Sequence, residues 1–315
     1  MKSNNLRMIN GIYGEPYLGD SKYVADCRLL QSIYRVEQGE NIRIYIGRDG
    51  EHRYGNYIDN GAESGVNFLE QYIFEYATYR VKNKLNYETI ESDRLFNNLL
   101  SSQPMAFNLF CPLRKMLSKS PERATDAIRR ALPIYNISNV TDVDLEFIPA
   151  NYKELTGDRS AMDAIIRFVD TRGHDSFIAI ETKYSENLGS NVPSKRAQAD
   201  KAILQLNCFN KHEYNNINDI KLTQIYRNFL LSETYGRSIS AESYSLILAP
   251  ERHPNTYKEL ESLRSKLNDD YKHKISSISL EQFVDNLIEH SPQPYSKTFS
   301  KFKDRYLMFE KLNNL

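Results

Sequence analysis

Three side chains, Asp163, Glu181 and Lys183, have types and spacing suited to hydrolysis of a phosphate ester. Two carboxylates are hard oxygen ligands for a divalent cation that keeps its water. A nearby ammonium can orient or deprotonate an attacking water, or steady a charged phosphate. Ser160–Asp170 reads as one extended run and Ser176–Glu186 as its return. Thr171-Arg172-Gly173 between them reads as a three-residue turn, whose glycine takes the left-handed conformation at little cost. With Asp170 facing His174, the antiparallel register sets Asp163 opposite Glu181 and Ala161 opposite Lys183. Such neighbours have β-carbons about 4.5–5.5 Å apart, which like charges resist unless something cationic lies between them. Lys183, two residues beyond Glu181, shares its face by the strand period of 2. A bare Glu-x-Lys is normally a solvent-facing pair, but this one closes the apolar run Phe177-Ile178-Ala179-Ile180. That setting puts the charges at the mouth of a core.

The elements that must hold this hairpin follow from periodicity. Ile42–Gly47 alternates before an Asp-Gly turn, a hairpin signal, and Gly65–Lys84 carries a helical stripe. Helical texture continues over Ser92–Lys119, and Pro121 opens a helix that Pro133 closes. Val143-Asp144-Leu145-Glu146-Phe147 alternates and precedes the two hairpin strands. Helices are expected at about 195–210, 219–235 and 255–268, with strands at Ser243–Ala249 and Ile275–Ile278. Ser279 with Gln282 forms a capping box for a last helix through Glu289. The order is that of an α/β protein with a mixed central sheet flanked by helices.

Asp163 with Glu181-Thr182-Lys183, in the order helix, three strands, helix, strand, resembles the signature and common core of the PD-(D/E)XK nucleases, the restriction-endonuclease-like superfamily. Met162 stands where proline usually precedes the aspartate. The segments Arg94–Phe110, Glu181–Glu186 and Gln224–Leu231 are similar to a bacterial restriction-endonuclease-like group, so that the likeness spans about residues 90–250. The resemblance implies an αβββαβ core over 91–315 and an N-terminal, mostly helical elaboration over 1–90. It implies a nuclease that cuts DNA with Mg²⁺, or with Mn²⁺ in its place. Asp163 and Glu181 would hold the metal, aided by the Thr182 carbonyl, and Lys183 would act on the water or the phosphate. Glu146 would add a further carboxylate, and Gln224 would orient water or phosphate. The rival expectation is a protein that keeps this fold without cutting and serves as a nucleic-acid-binding or scaffold component of a defence or regulatory complex.

Composition narrows the remaining classes. Lys plus Arg equals Asp plus Glu at 41 each, so global charge does not argue for nucleic acid, and binding must rest on local patches. Lys195, Arg196 and Lys201 follow the hairpin and are placed to meet DNA near the cut. Arg114 and Lys115 begin a second basic cluster that runs to Arg130. Neutrality also leaves room for a substrate delivered through a homo-oligomer or a partner subunit. Cys27, Cys111 and Cys208 are too few and too scattered for a disulfide framework or a zinc knuckle. No apolar window reaches the roughly 18 residues of a membrane span and no signal-peptide core is present, so a cytoplasmic, membrane-free protein is expected. Phosphate-loop, dinucleotide, zincin and nucleophile-elbow motifs are all absent.

Overall fold

A computed structural model describes residues 11–48, 50–186, 196–215 and 220–314. In the N-terminal part, Ser21 accepts a bond from the Val24 N–H and starts helix α1 (Lys22–Glu37). A short hairpin, β1 (Tyr45–Gly47) and β2 (Gly50–His52), follows, and then α2 (Gln71–Lys82). Helix α3 (Ser92–Asn97) leads to α4 (Ser102–Lys119), which Ser101 caps by accepting from the Gln103 N–H. Ser102 is the first helical residue, and its own polar groups are available elsewhere. Pro121 opens α5 (Pro121–Ala131).

The central sheet has five strands in the order β3 (Ile137–Phe147), β4 (Met162–Asp170), β5 (Asp175–Thr182), β6 (Glu242–Ala249) and β7 (Ile275–Ser279). The first three pair antiparallel and the last two join in parallel, which makes the sheet mixed. The parallel step from β5 to β6 runs through α6 (Arg196–Leu206) and α7 (Gln224–Ser238). Helix α8 (Thr256–Lys266) links β6 to β7, and α9 (Leu280–His290) starts on the Ser279 cap. A further helix, α10 (Tyr295–Tyr306), completes the fold. No helix among the described residues is long and apolar enough to cross a membrane.

Both faces of β5 are covered, which is why its sequence is an unbroken apolar run. Ile178 and Ile180 join the larger apolar cluster with α4, α5, α9 and α10. Phe177 and Ala179 point the other way and pack with Leu231 of α7. Glu181 continues the second set, so α7 is the helix that meets it. Cys27 and Leu30 of α1 and Ile73 of α2 belong to the larger cluster too, and the N-terminal helices therefore share the core of the sheet domain.

That joint is also polar. The buried Arg305 of α10 donates from Nε to Gln31 Oε1 at 3.0 Å and from Nη1 to the Asn67 carbonyl at 2.8 Å, and its guanidinium stacks on Tyr34 and Tyr306. Gln31 in turn donates to the Tyr184 hydroxyl at 3.0 Å, next to Lys183. Arg305→Met should strand these buried acceptors and cost about 2–4 kcal/mol, read by denaturant unfolding. A loss below about 0.5 kcal/mol would show that the network is not what joins α1 to α10.

Candidate active site

The hairpin register is the one expected from its turn. Gly173 adopts φ +85°, Asp170 N–H donates to the His174 carbonyl at 2.9 Å, and pairs run from Val169 with Asp175 to Ala164 with Ile180. One residue further on, Asp163 lies opposite Glu181. There the backbone ladder gives way to a side chain: Asp163 Oδ2 accepts from both the N–H and the Oγ1 of Thr182, each at 2.7 Å. The expected pairing of Ala161 with Lys183 is absent: β5 ends at Thr182, whose N–H goes to the Asp163 carboxylate and not to the β4 backbone, while the Lys183 N–H continues the ladder to Leu248 of β6 at 2.8 Å. On the other side of β4, Leu145 pairs with Ala164 and Phe147 with Met162, which sets Glu146 opposite Asp163. Three carboxylates, Glu146, Asp163 and Glu181, thus lie in one row across three neighbouring strands.

Glu146 sits at φ +49°, a left-handed conformation that costs a non-glycine residue roughly 1–2 kcal/mol. Strain of this kind persists where the surroundings impose it, and here it accompanies a carboxylate that lines the same cavity as Asp163 and Glu181. The cavity encloses about 430 Å³, and its wall also includes Arg94, Gln103, Arg159, Lys183, Glu186 and Gln224.

Helix α7 supplies the remaining partners. Lys183 Nζ donates to Glu181 Oε1 at 2.5 Å and to Gln224 Oε1 at 2.9 Å. Gln224 Nε2 donates to Glu181 Oε1 at 2.6 Å, and Asn228, one turn on, donates from Nδ2 to Glu181 Oε2 at 2.5 Å. Helix α4 adds a second anchor. Glu186 Oε1 accepts from the Ser102 N–H at 2.8 Å, from Ser102 Oγ at 3.0 Å and from Arg94 at 3.0 Å. Asn228, Arg94 and Glu186 were not legible as site residues. Their only signals were the four-residue spacing of Gln224 and Asn228 on one helix face and the Glu186 that ends the motif segment.

Electrostatics explain what each group does. Burial first, and Asp163 second, push the Glu146 carboxyl up to about 8. The same two causes take Glu181 to about 7, against the opposing pull of Lys183. Asp163 is also raised by burial, opposed by Lys183 and the Thr182 bonds. For Glu186, burial is outweighed by Arg94, Lys183 and the Ser102 N–H, which hold it below the usual range. Burial alone would depress Lys183, but Glu181, Asp163 and Glu186 hold it above the ordinary lysine value. In the metal-free fold these neighbours favour its ammonium form, which can orient a water or a phosphate oxygen.

Glu146, Asp163 and Glu181 form a row of buried carboxyl groups with Lys183 bonded to one of them and Arg94 acting at longer range, and the proton-binding tendency of this row in the metal-free fold suits a site completed by a divalent cation. Their lone pairs suit it too. A carboxylate has about four acceptor sites. Two bonds occupy Asp163 Oδ2, while Asp163 Oδ1 has no hydrogen-bond partner among the described residues. Two bonds occupy Glu181 Oε1, while Oε2 carries only the one from Asn228. Among the described residues, no group of three or more His, Cys, Asp or Glu side chains is placed so that it could hold a metal ion, so any cation here would rest on one or two carboxylates and water. The donor chemistry fits a hard cation such as Mg²⁺ that retains several waters.

The other basic residues lie apart. Arg196 pairs with Asp200 and donates to the Ile220 carbonyl, and Lys201 is exposed on the same helix; neither lines the cavity. Lys195 falls outside the described residues. Arg114 donates to the Val143 carbonyl at 2.7 Å, and Lys115 lies 3.8 Å over the Tyr72 ring. Both border a separate groove beside the outer edge of β3.

A stability measurement checks the placement of Glu146. With folded pKa values of about 8 and about 7 against an ordinary 4.5, Glu146 and Glu181 in the metal-free fold bind protons that the unfolded chain releases. Stability should then fall as pH rises from about 4.5 towards 8, by at most about 1.4 kcal/mol per pH unit for each group. Glu146→Gln removes one contribution. In EDTA its Tm should exceed the wild type by a margin that widens between about pH 5 and pH 8. A margin independent of pH would contradict this position for Glu146.

A family model described as the PD-(D/E)XK nuclease superfamily matches residues 19–308, nearly the whole chain. No curated protein and no solved structure matches it. The five-stranded mixed sheet with helices on both faces is consistent with the restriction-endonuclease-like fold of that superfamily.

Proposed function

The chain belongs to the PD-(D/E)XK nuclease superfamily, and on that premise we propose that it hydrolyses DNA phosphodiester bonds at the site built on Asp163, Glu181 and Lys183. One observation carries the reading. Asp163 and Glu181 face each other at the end of a covered strand, each keeps a carboxylate oxygen with unused acceptor capacity, and the Lys183 ammonium is held beside them. The resemblance of the hairpin and its flanks to a bacterial restriction-endonuclease-like group supports a role in restriction or defence.

Mg²⁺, or Mn²⁺ in its place, held by Asp163 and Glu181 with Glu146 and the Thr182 carbonyl at hand, would polarise the phosphate and make a bound water more acidic. The chain's own groups do the rest. Thr182 fixes Asp163 through two bonds and leaves its second oxygen to act. An ammonium has three N–H donors, and Lys183 spends two of them on Glu181 and Gln224. The third is left for the attacking water or a non-bridging phosphate oxygen. Gln224 bridges Lys183 and Glu181 and keeps the two at fixed separation. Water adds to phosphorus and gives up one proton, one ester P–O bond breaks, and the departing oxygen takes up one proton in exchange.

Plasmid DNA, linear DNA and RNA, each incubated with Mg²⁺, Mn²⁺ or EDTA, test the substrate class. Metal-dependent loss of either DNA with RNA left intact is the expected result. Cleavage of RNA alone would overturn the DNA assignment. DNA binding without cleavage of any substrate would favour the scaffold alternative.

A further inference from the structure

The Glu181 carboxylate is held from α7 by two side chains, and the second of them has no counterpart in the motif read from the sequence. Asn228 is buried and donates from Nδ2 to Glu181 Oε2 at 2.5 Å. Its own Oδ1 is buried without a hydrogen-bond partner. An unmet buried acceptor costs about 1–3 kcal/mol, so an apolar side chain of similar size would serve packing better at this position. The fold tolerates that cost at Asn228, the one residue among those described whose amide reaches Glu181 Oε2. With Lys183 and Gln224 filling Oε1, the Asn228 bond fixes the rotation of the carboxylate and leaves one directed acceptor position on Oε2.

We infer that Asn228 is a positioning residue that sets the metal affinity of Glu181, turning the open position of Oε2 towards the cavity that Asp163 shares. This rests on the proposed metal-dependent reading of the site. Without the Asn228 bond, Glu181 would pivot about its contacts with Lys183 and Gln224, and its ligand oxygen would have to be ordered at the moment of binding. Groups that orient a metal ligand from behind typically contribute about 10–100-fold in metal affinity or activity.

Calorimetric titration of the full chain with Mn²⁺, without nucleic acid, reads this directly. Asn228→Leu removes the donor and the orphaned acceptor together. Asn228→Ser is a shorter second variant that cannot reach Glu181 and guards against a packing failure by leucine. Each should bind Mn²⁺ about 10–100-fold more weakly than the wild type. The Tm of Asn228→Leu in EDTA should stay near that of the wild type, a separation that a merely structural role would not give. If the wild type takes up Mn²⁺ and either variant binds it equally tightly, the inference fails while the metal-dependent reading stands. If the wild type takes up none, both fail.

Discussion

Lys183→Ala should lose DNA cleavage by about 10²–10⁴-fold while keeping most of its DNA affinity, because one positioned acid–base or charge-bearing group is commonly worth that much in rate. Affinity for DNA is spread over many phosphate contacts, of which one lysine is a small part. The ammonium is buried between Glu181 and Gln224, so it reaches a single phosphate at most. The variant also leaves Glu181 without its nearest cation, and more Mg²⁺ should be needed to reach the residual rate. Single-turnover cleavage and filter binding with Ca²⁺ in place of Mg²⁺ separate the two effects. Equal cleavage by the variant and the wild type would remove Lys183 from the chemistry.

Asp163→Asn should abolish the rise in Tm that Mg²⁺ or Mn²⁺ gives the wild type. A ligand that binds only the folded state stabilises it by about 2.7 kcal/mol at one hundred times its Kd, and a site without its aspartate forfeits this. The sign reverses in EDTA. Asp163 lies in a row with Glu146 and Glu181, and burial already disfavours its charge, so the neutral amide should make the metal-free protein more stable than the wild type. Thermal unfolding of both proteins, with EDTA and with a metal series, gives four curves whose order is set in advance. Equal metal shifts in the two proteins would refute a site at Asp163.

The hairpin was legible because its register depends on one turn. Once Gly173 takes the left-handed position, period-2 alternation carries Asp163 to Glu181 without any tertiary information. The Glu146 position could not be read in the same way, since irregularities in the β3–β4 pairing and a left-handed residue decide which way its carboxylate points. Asn228, Glu186 and Arg94 reach the site only through the packing of α7, α3 and α4, contacts that join residues 47 to 92 positions apart. Helix α10 lies beyond the last helix that the sequence pattern predicts, although a signal for it exists. Its buried residues Phe299, Phe302 and Tyr306 recur at helical spacing, but the prolines at 292 and 294 and the Ser/Lys-rich stretch around them look like a loop. The extended run expected through Glu186 stops at Thr182 because the Asp163 carboxylate takes the Thr182 N–H in place of the β4 backbone, and Glu186 then bonds Ser102 at the start of α4.

The central claim is that metal held at Asp163 and Glu181, with Lys183 beside it, cuts the DNA backbone. A time course of supercoiled plasmid with Mg²⁺, stopped by excess EDTA and restarted by excess Mg²⁺, tests it most directly when wild type and Asp163→Asn are purified in parallel. The wild type should convert the plasmid to nicked or linear product, halt at EDTA and resume with metal, while Asp163→Asn leaves it supercoiled throughout. Cleavage that continues in EDTA, or that Asp163→Asn performs as fast as the wild type, would contradict the account.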